Sequence, residues 1–162
     1  MGRGAMSFKL KDKDRGWRAL QAFAKKVAAK QATVHIGVID DGSRDGGDLT
    51  NAELAAIHEF GAPGANIPER SFIRSTFDTN QAKYRDLLKR LGKAVLLKRQ
   101  SVVDALGILG ATMAADIKKR VTSGPHIPPP LAAATARRKG SDRPLVDTGQ
   151  MINAVTWKVV SR

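Results

Sequence analysis

Cysteine is absent from this 162-residue chain, and aromatic residues make up only 5% of it. The first absence excludes disulfide scaffolds, thiolate catalysis and any zinc or iron–sulfur site built on cysteine ligands. The second leaves few rings to stack on bases, so a platform for single-stranded nucleic acid is poorly supplied. Long apolar runs are missing as well. The least polar helical stretch, residues 105–115, falls far short of the ~20 residues needed to cross a bilayer, and no secretory pattern opens the chain. Met1-Gly2 has the form of a myristoylation start, but Met6 stands where Ser or Thr is required. The reading is a soluble protein with no membrane partner. A chain of this length buries roughly 70% of its unfolded surface in one core, so a single domain over 1–162 is expected, with a basic tail at 1–13.

Negative charge is also scarce: 15 Asp and Glu face 28 Lys and Arg, for a formal +13. The acids are unevenly placed. Residues 31–60 hold six acids and one base, whereas 1–30 hold nine bases and two acids. A basic body with one acidic segment suits polyanions, or head-to-tail contact between oppositely charged faces of identical subunits.

What is present reads as alternating helix and strand signals. Asp14 can cap a helix over 15–30, with Trp17, Leu20, Phe23, Ala24 and Val27 at helical spacing and Arg18, Lys25 and Lys26 opposite. Residues 33–39 alternate as a strand, Val34, Ile36 and Val38 on one face and His35, Gly37 and Ile39 on the other. Four aspartates and three glycines over 40–48 make a turn-rich loop. Thr50 with Glu53 forms a capping-box pattern, and Leu49 with Leu54 a hydrophobic staple, for a helix that Gly61 stops. Helical spacing resumes near Glu69 and restarts at Asp78, with Tyr84, Leu87, Leu88, Leu91 and Val95 apolar against Lys83, Arg90 and Lys98. The strongest helix starts at Ser101 and Asp104 and runs to about 122, striped by Val102, Leu106, Leu109, Met113, Ile117 and Val121. Its small residues, Gly107, Gly110, Ala111, Ala114 and Ala115, admit a close neighbour. Residues 125–144 hold five prolines and no periodicity, so 124–147 reads as an extended arm that orders against neighbouring subunits. A helical turn within 145–153 and a strand over 154–160, with Val155, Trp157 and Val159 on one face, close the chain. This order predicts an α+β domain: a small, mostly antiparallel sheet packed with helices, with a long proline-rich arm before the C-terminal strand.

Catalytic and metal signals are weak. His58 beside Glu59 lacks the second histidine of a HExxH site, while His35 falls in a strand and His126 in the proline-rich loop. The 40–48 loop lacks the ligand alternation and closing glutamate of a calcium hand. No phosphate-cradling glycine motif, nucleophile elbow or Ser–His–acid set appears. The expectation is no enzyme, no cofactor, no metal and no small-molecule substrate. Arg137, Arg138, Lys139 and Arg143 form a basic cluster that could contact a polyanion or an acidic partner through charge alone.

Two stretches carry a family resemblance. The first is residues 49–74, where a helix ending His58-Glu59-Phe60-Gly61 leads into Ile67-Pro68-Glu69-Arg70-Ser71-Phe72. The second is residues 128–160, with Arg138-Lys139-Gly140, then Pro144-Leu145-Val146-Asp147-Thr148-Gly149 and a closing strand. Together they resemble the tailed-phage virion-morphogenesis family: the neck, tail-completion and head–tail joining proteins of long-tailed and Mu-like phages. Ser71 departs from the family's usual proline at that place. The resemblance implies a structural virion protein, assembled in the host cytoplasm into a ring, of six, at the neck or head-proximal tail end. Its partners would be its own copies, the adjoining neck and tail proteins, and DNA in the channel. Subunit or neighbour contacts are then expected at Phe60, Gly61, Ile67, Pro68, Arg70, Phe72, Pro144, Leu145, Asp147, Thr148 and Gly149. A tail terminator proper is the alternative within that class, and a basic nucleic-acid-binding protein the alternative outside it.

Overall fold

The structure is a computed structural model that describes Lys25 and residues 32–39, 48–124, 127–140, 142–145 and 149–161. Apart from Lys25, the helix expected at 15–30 lies outside the described residues, as do most of the 40–48 loop, His126, Asp147 and Thr148. The element order is β1 (Ala32–Val38), α1 (Asn51–Phe60), a 3-10 turn (Pro63–Ala65), α2 (Ile73–Thr79), α3 (Gln81–Leu96), α4 (Val102–Thr122), α5 (Ala133–Lys139), α6 (Gln150–Asn153) and β2 (Val155–Ser161). This is the α+β arrangement the sequence predicts.

β1 and β2 form a two-stranded antiparallel sheet in which Val34, Ile36 and Val38 stand opposite Val159, Trp157 and Val155. Directly opposed residues share a face, so both alternating apolar sets point the same way, onto α4. The other face carries Thr33, His35 and Lys158, all exposed. An isolated two-stranded sheet of this size is marginal in water. Here α4, the longest helix, supplies the surface that holds it.

α4 packs against the sheet through its small residues. A Cβ on Gly110 would lie 2.6–2.8 Å from Trp157 atoms, so the indole occupies the space that the missing side chain leaves. Gly107, by contrast, meets nothing within 4 Å. The buried stripe of α4 accordingly runs through Ala105, Leu109, Gly110, Ala114, Ile117 and Val121. Leu106 and Met113, expected at its centre, lie at its half-buried margin. The same rotation applies to α3, where Tyr84, Leu91 and Val95 are buried but Leu88 is 50% exposed.

Local signals place most helix ends. Thr50 and Ser101 each accept from the backbone N–H three residues on, and Glu53 and Asp104 each accept from the cap residue's N–H in return. The α2–α3 break falls at Asn80, not at Asp78. Thr76 Oγ1 donates to Phe72 O, Thr79 Oγ1 to Ser75 O and Asn80 Nδ2 to Thr76 O. These side chains compete for helix carbonyls, which bends or ends a helix.

The main core joins Phe72, Ile117, Val121, Met151, Ile152 and Val155 to Ile127 and Leu145, and a second cluster packs Leu91 and Val95 against Ala105 and Leu109. Ile127 and Leu145 are 4% and 9% exposed, so the proline-rich arm is anchored in the main core near both of its ends. Within it, α5 forms where no periodicity predicts a helix. Seven residues are too few turns to show a period, but the run Ala132-Ala133-Ala134-Thr135-Ala136 has high helix propensity and Gly140, at φ 67°, ends it in the left-handed region.

Candidate interaction surface

Glu59 organises the first motif. It ends α1, is 6% exposed, and its carboxylate accepts from Ser71 Oγ at 2.7 Å and from the backbone N–H groups of Phe72, Ile73 and Arg74 at 2.8, 2.9 and 3.0 Å. The first N–H groups of a helix have no intrahelical acceptor. Phe72, the N-cap residue of α2, supplies no side-chain cap. A carboxylate from the preceding helix therefore caps it, and its negative charge suits the positive end of the helix dipole. The turn between them is equally constrained. Gly61 has φ 75°, and a Cβ there would lie 2.8 Å from Glu69 N. Ala62 and Ile67 bridge across the loop, and Arg70 N–H donates to His58 O at 2.7 Å.

Arg70 joins the first motif to the second. Its side chain, with the residue 7% exposed, donates from Nε to Pro129 O at 2.9 Å and from Nη2 to Pro130 O at 3.2 Å. Proline carbonyls have no ladder to enter here, and a guanidinium fork reaches both at once. Burial lowers the Arg70 pKa. The second motif is tied down again by Arg143, whose Nη1 donates to Val121 O at 3.2 Å and Gly124 O at 3.4 Å, carbonyls at the C-terminal end of α4. Lys139 Nζ donates to Arg143 O at 2.7 Å.

The expected contact residues therefore separate by exposure. Phe72 is fully buried, Arg70, Pro144 and Leu145 are buried, and Gly61, Ile67 and Gly149 are half-buried. Pro68 is exposed and Phe60 is 69% exposed. Of the basic cluster, Arg143 and Lys139 hold main-chain carbonyls, while Arg137 and Arg138 are exposed at the end of α5. A cavity of about 390 Å³ opens beside them, lined among others by His58, Arg70, Arg138, Lys139, Leu145 and Met151.

Sequence reasoning places Glu59 beside His58 in an incomplete metal motif and within the His58-Glu59-Phe60-Gly61 helix end, and gives its carboxylate no role. Its four donors commit that carboxylate to the helix cap. His35 is exposed on the polar sheet face, its Nε2 3.5 Å from Thr33 Oγ1. Among the described residues no group of three or more His, Asp or Glu side chains is arranged to hold a metal ion, and no helix is long and apolar enough to cross a membrane. Comparison with known proteins gives no match: no family model, no curated protein and no solved structure matches this chain.

Proposed function

We propose that this chain is a non-enzymatic structural protein of a tailed-phage virion, one subunit of a six-membered ring that completes the head-proximal end of the tail and joins it to the head. The observation that carries the reading is the Arg70 joint. The two stretches that resemble the virion-morphogenesis family lie 59 and 60 positions apart at their hydrogen bonds, yet meet through the buried Arg70 side chain. Arg138 lines the same cavity as Arg70, and Phe60, Pro68, Arg137 and Arg138 are all exposed. Rings close through heterologous contacts, one face of each copy meeting a different face of the next. The acidic 31–60 segment and the basic remainder give such faces opposite charge. Leu96, Leu97 and Val103, about 40–50% exposed around the α3–α4 turn, add apolar surface of the kind that protein contacts cover.

Replacing Arg137 and Arg138 together by Ala tests the reading, because both are exposed and neither is a helix cap. The fold is expected to survive with stability changed by less than about 0.5 kcal/mol, while the number of tailed, infectious particles falls. Normal joining by this variant would remove the arm from the proposed contact. Its affinity for DNA as a function of salt separates the partners: a flatter salt slope marks phosphate contacts, whereas an unchanged slope with lost joining marks a protein neighbour. Particle imaging that finds no copy of the chain at the neck or tail end would overturn the proposal.

A further inference from the structure

The charge of this chain separates by element. Residues 48–69 hold four acids and no Lys or Arg, whereas residues 83–99 hold seven bases and one acid. Each stretch also carries apolar surface. On the acidic side a groove of about 640 Å³ is lined in part by Ile36, Ala56, Phe60, Phe77 and Tyr84, and Phe60 and Phe77 are both exposed. Glu53, Ala56 and Phe60 lie at helical spacing on one exposed face of α1, and the exposed Asp78 follows Phe77. Arg74 is the one Lys or Arg among the described lining residues, and its charge is met by Glu69 at 3.1 Å.

On the basic side, Leu96, Leu97 and Val103 are exposed around the α3–α4 turn, and so are Lys93, Lys98 and Arg99. The turn carries its lysine at a conformational cost. Arg99 N–H donates to Ala94 O and Lys98 N–H to Val95 O, each at 2.9 Å, the bond pair of a Schellman helix end. Lys98 holds the left-handed position of that motif, φ 56°, where glycine is unstrained. A cation therefore stands in the turn where backbone geometry alone favours glycine.

The two surfaces are too far apart to meet within one subunit. From Tyr84, on the groove, to Leu96, at the end of α3, the helix rises about 18 Å, and α3 is fixed along α4 by the Leu91, Val95, Ala105 and Leu109 cluster. We infer that they meet between copies: the α3–α4 turn of one subunit seats Leu96 and Leu97 in the Phe60–Phe77 groove of the next, with Lys98 and Arg99 facing Glu53 and Asp78. Opposite charge selects this partner, and like-charged faces of two copies repel. DNA suits the turn less well, because a phosphate backbone leaves three exposed apolar side chains uncovered. Each copy offers one turn and one groove, so the contact is head-to-tail. The inference rests on the ring reading for its closure at six, whereas the contact itself needs only two copies.

The absence of native cysteine makes the test direct. Lys98→Cys marks the turn and Ala56→Cys the groove, both at exposed positions of the full chain. With a short bis-maleimide, a mixture of the two variants is expected to give dimers of one of each, while either variant alone stays largely uncross-linked. A mixture that gives no more cross-link than its components overturns the pairing. Charge reversal reads the same contact by sedimentation. Lys98→Glu with Arg99→Glu, or Ala56→Lys with Asp78→Lys, should weaken self-association at least about tenfold. Mixing the two reversed variants should restore it, because together they offer one unaltered and one doubly reversed pair of faces. Assembly that survives both reversals overturns the pairing and leaves the ring, whereas a cross-linked pair from a chain absent from the neck keeps the contact and removes the ring. Unchanged self-association with lost DNA binding, in the turn reversal, overturns the pairing in favour of a polyanion. Should a reversed variant fail to fold, Lys98→Gly decides: it relieves the left-handed strain, so stability should hold or rise while association weakens, and unchanged association overturns the pairing.

Discussion

The α1–α2 junction and the α3–α4 hairpin are held by different physics. At the junction, Glu59, Arg70 and Arg143 each cross a large sequence distance to satisfy main-chain groups: the N–H groups opening α2, two proline carbonyls and the carbonyls closing α4. Along the hairpin, Leu91 and Val95 pack on Ala105 and Leu109, and the main polar link is a half-exposed Lys83 Nζ to Asp116 at 2.6 Å, joined by Tyr84. Directional bonds to buried backbone fix one geometry and lose most of their value together when a partner is removed. Apolar burial is non-directional and degrades in proportion to the surface lost. The family-like motifs coincide with the first kind of region, which explains why those residue types are needed there for the fold itself.

The strongest way to break this contrast is to remove the carboxylate. Glu59→Ala strands three N–H groups at the start of α2 and is expected to destabilise the protein by about 3 kcal/mol or more, read by urea denaturation. Glu59→Gln keeps one acceptor oxygen and should lose roughly half as much. Leu88→Ala on the exposed side of α3 should stay within about 0.5 kcal/mol. Equal losses from Glu59→Ala and Leu88→Ala would erase the distinction between the two regions.

Next in size is Arg70→Ala, expected to cost about 2 kcal/mol through two lost charge-assisted hydrogen bonds. It should also raise the rate of tryptic cleavage at Arg137 and Arg138, because the arm then loses two of the bonds that tie it to the α1–α2 junction. Arg70→Lys should restore little, since an ammonium lacks the fork that reaches both Pro129 and Pro130. Cleavage as slow as in the unaltered protein would show that the joint does not hold the arm.

The contrast also marks what was legible in the sequence. The Thr50–Glu53 capping box, the start of α4 at Ser101, the two strands with their faces, and the extents of α1 and α4 follow from local pattern, because caps and periodicity act within a few residues. The buried sides of α3 and α4 came out rotated, since periodicity alone does not weigh Gly110 and Ala114 against larger neighbours. Trp157 decides that choice from the far end of the chain. The Glu59 cap and the Arg70 joint were not legible: each spans 12 to 60 positions and has no local signature. A faint signal was the α2 start, where Phe72 is a poor cap. Of the residues expected at contacts, exposure separates Phe60 and Pro68 from Arg70 and Phe72, a distinction that the motif spelling does not carry.

Between the two regimes lies Gly110. Gly110→Ala would gain about 1 kcal/mol of helix propensity, but the new Cβ meets Trp157 Cβ and ring atoms at 2.6–2.8 Å. Overpacking of this kind costs about 1–3 kcal/mol, so a net loss of about 1 kcal/mol is expected, together with a change in Trp157 fluorescence. The equivalent Gly107→Ala change, made in open space, should stabilise the helix. A stabilising Gly110→Ala would mean that the sheet rides loosely on α4.

The smallest expected effect is the most sharply resolved, because Tyr84 is the chain's only tyrosine. Its hydroxyl donates to Asp116 Oδ2 at 3.0 Å. Burial, then that hydrogen bond, then the Asp116 charge raise its pKa above the ordinary value of about 10. The folded state therefore binds this proton more tightly than the unfolded chain does. The resulting stabilisation is fully present below the unfolded value and is lost as pH rises from there through the folded value. At neutral pH, Tyr84→Phe should cost about 1 kcal/mol or less, the worth of one partly exposed hydrogen bond. Between about pH 9 and about pH 11 the unaltered protein should lose stability faster than Tyr84→Phe, so the gap between them narrows. Tyrosinate absorbance should appear only above the ordinary range, or together with unfolding. If the phenol titrates normally in the folded protein, the Tyr84–Asp116 link is open to water, and the hairpin is held by its apolar seam and the Lys83–Asp116 pair.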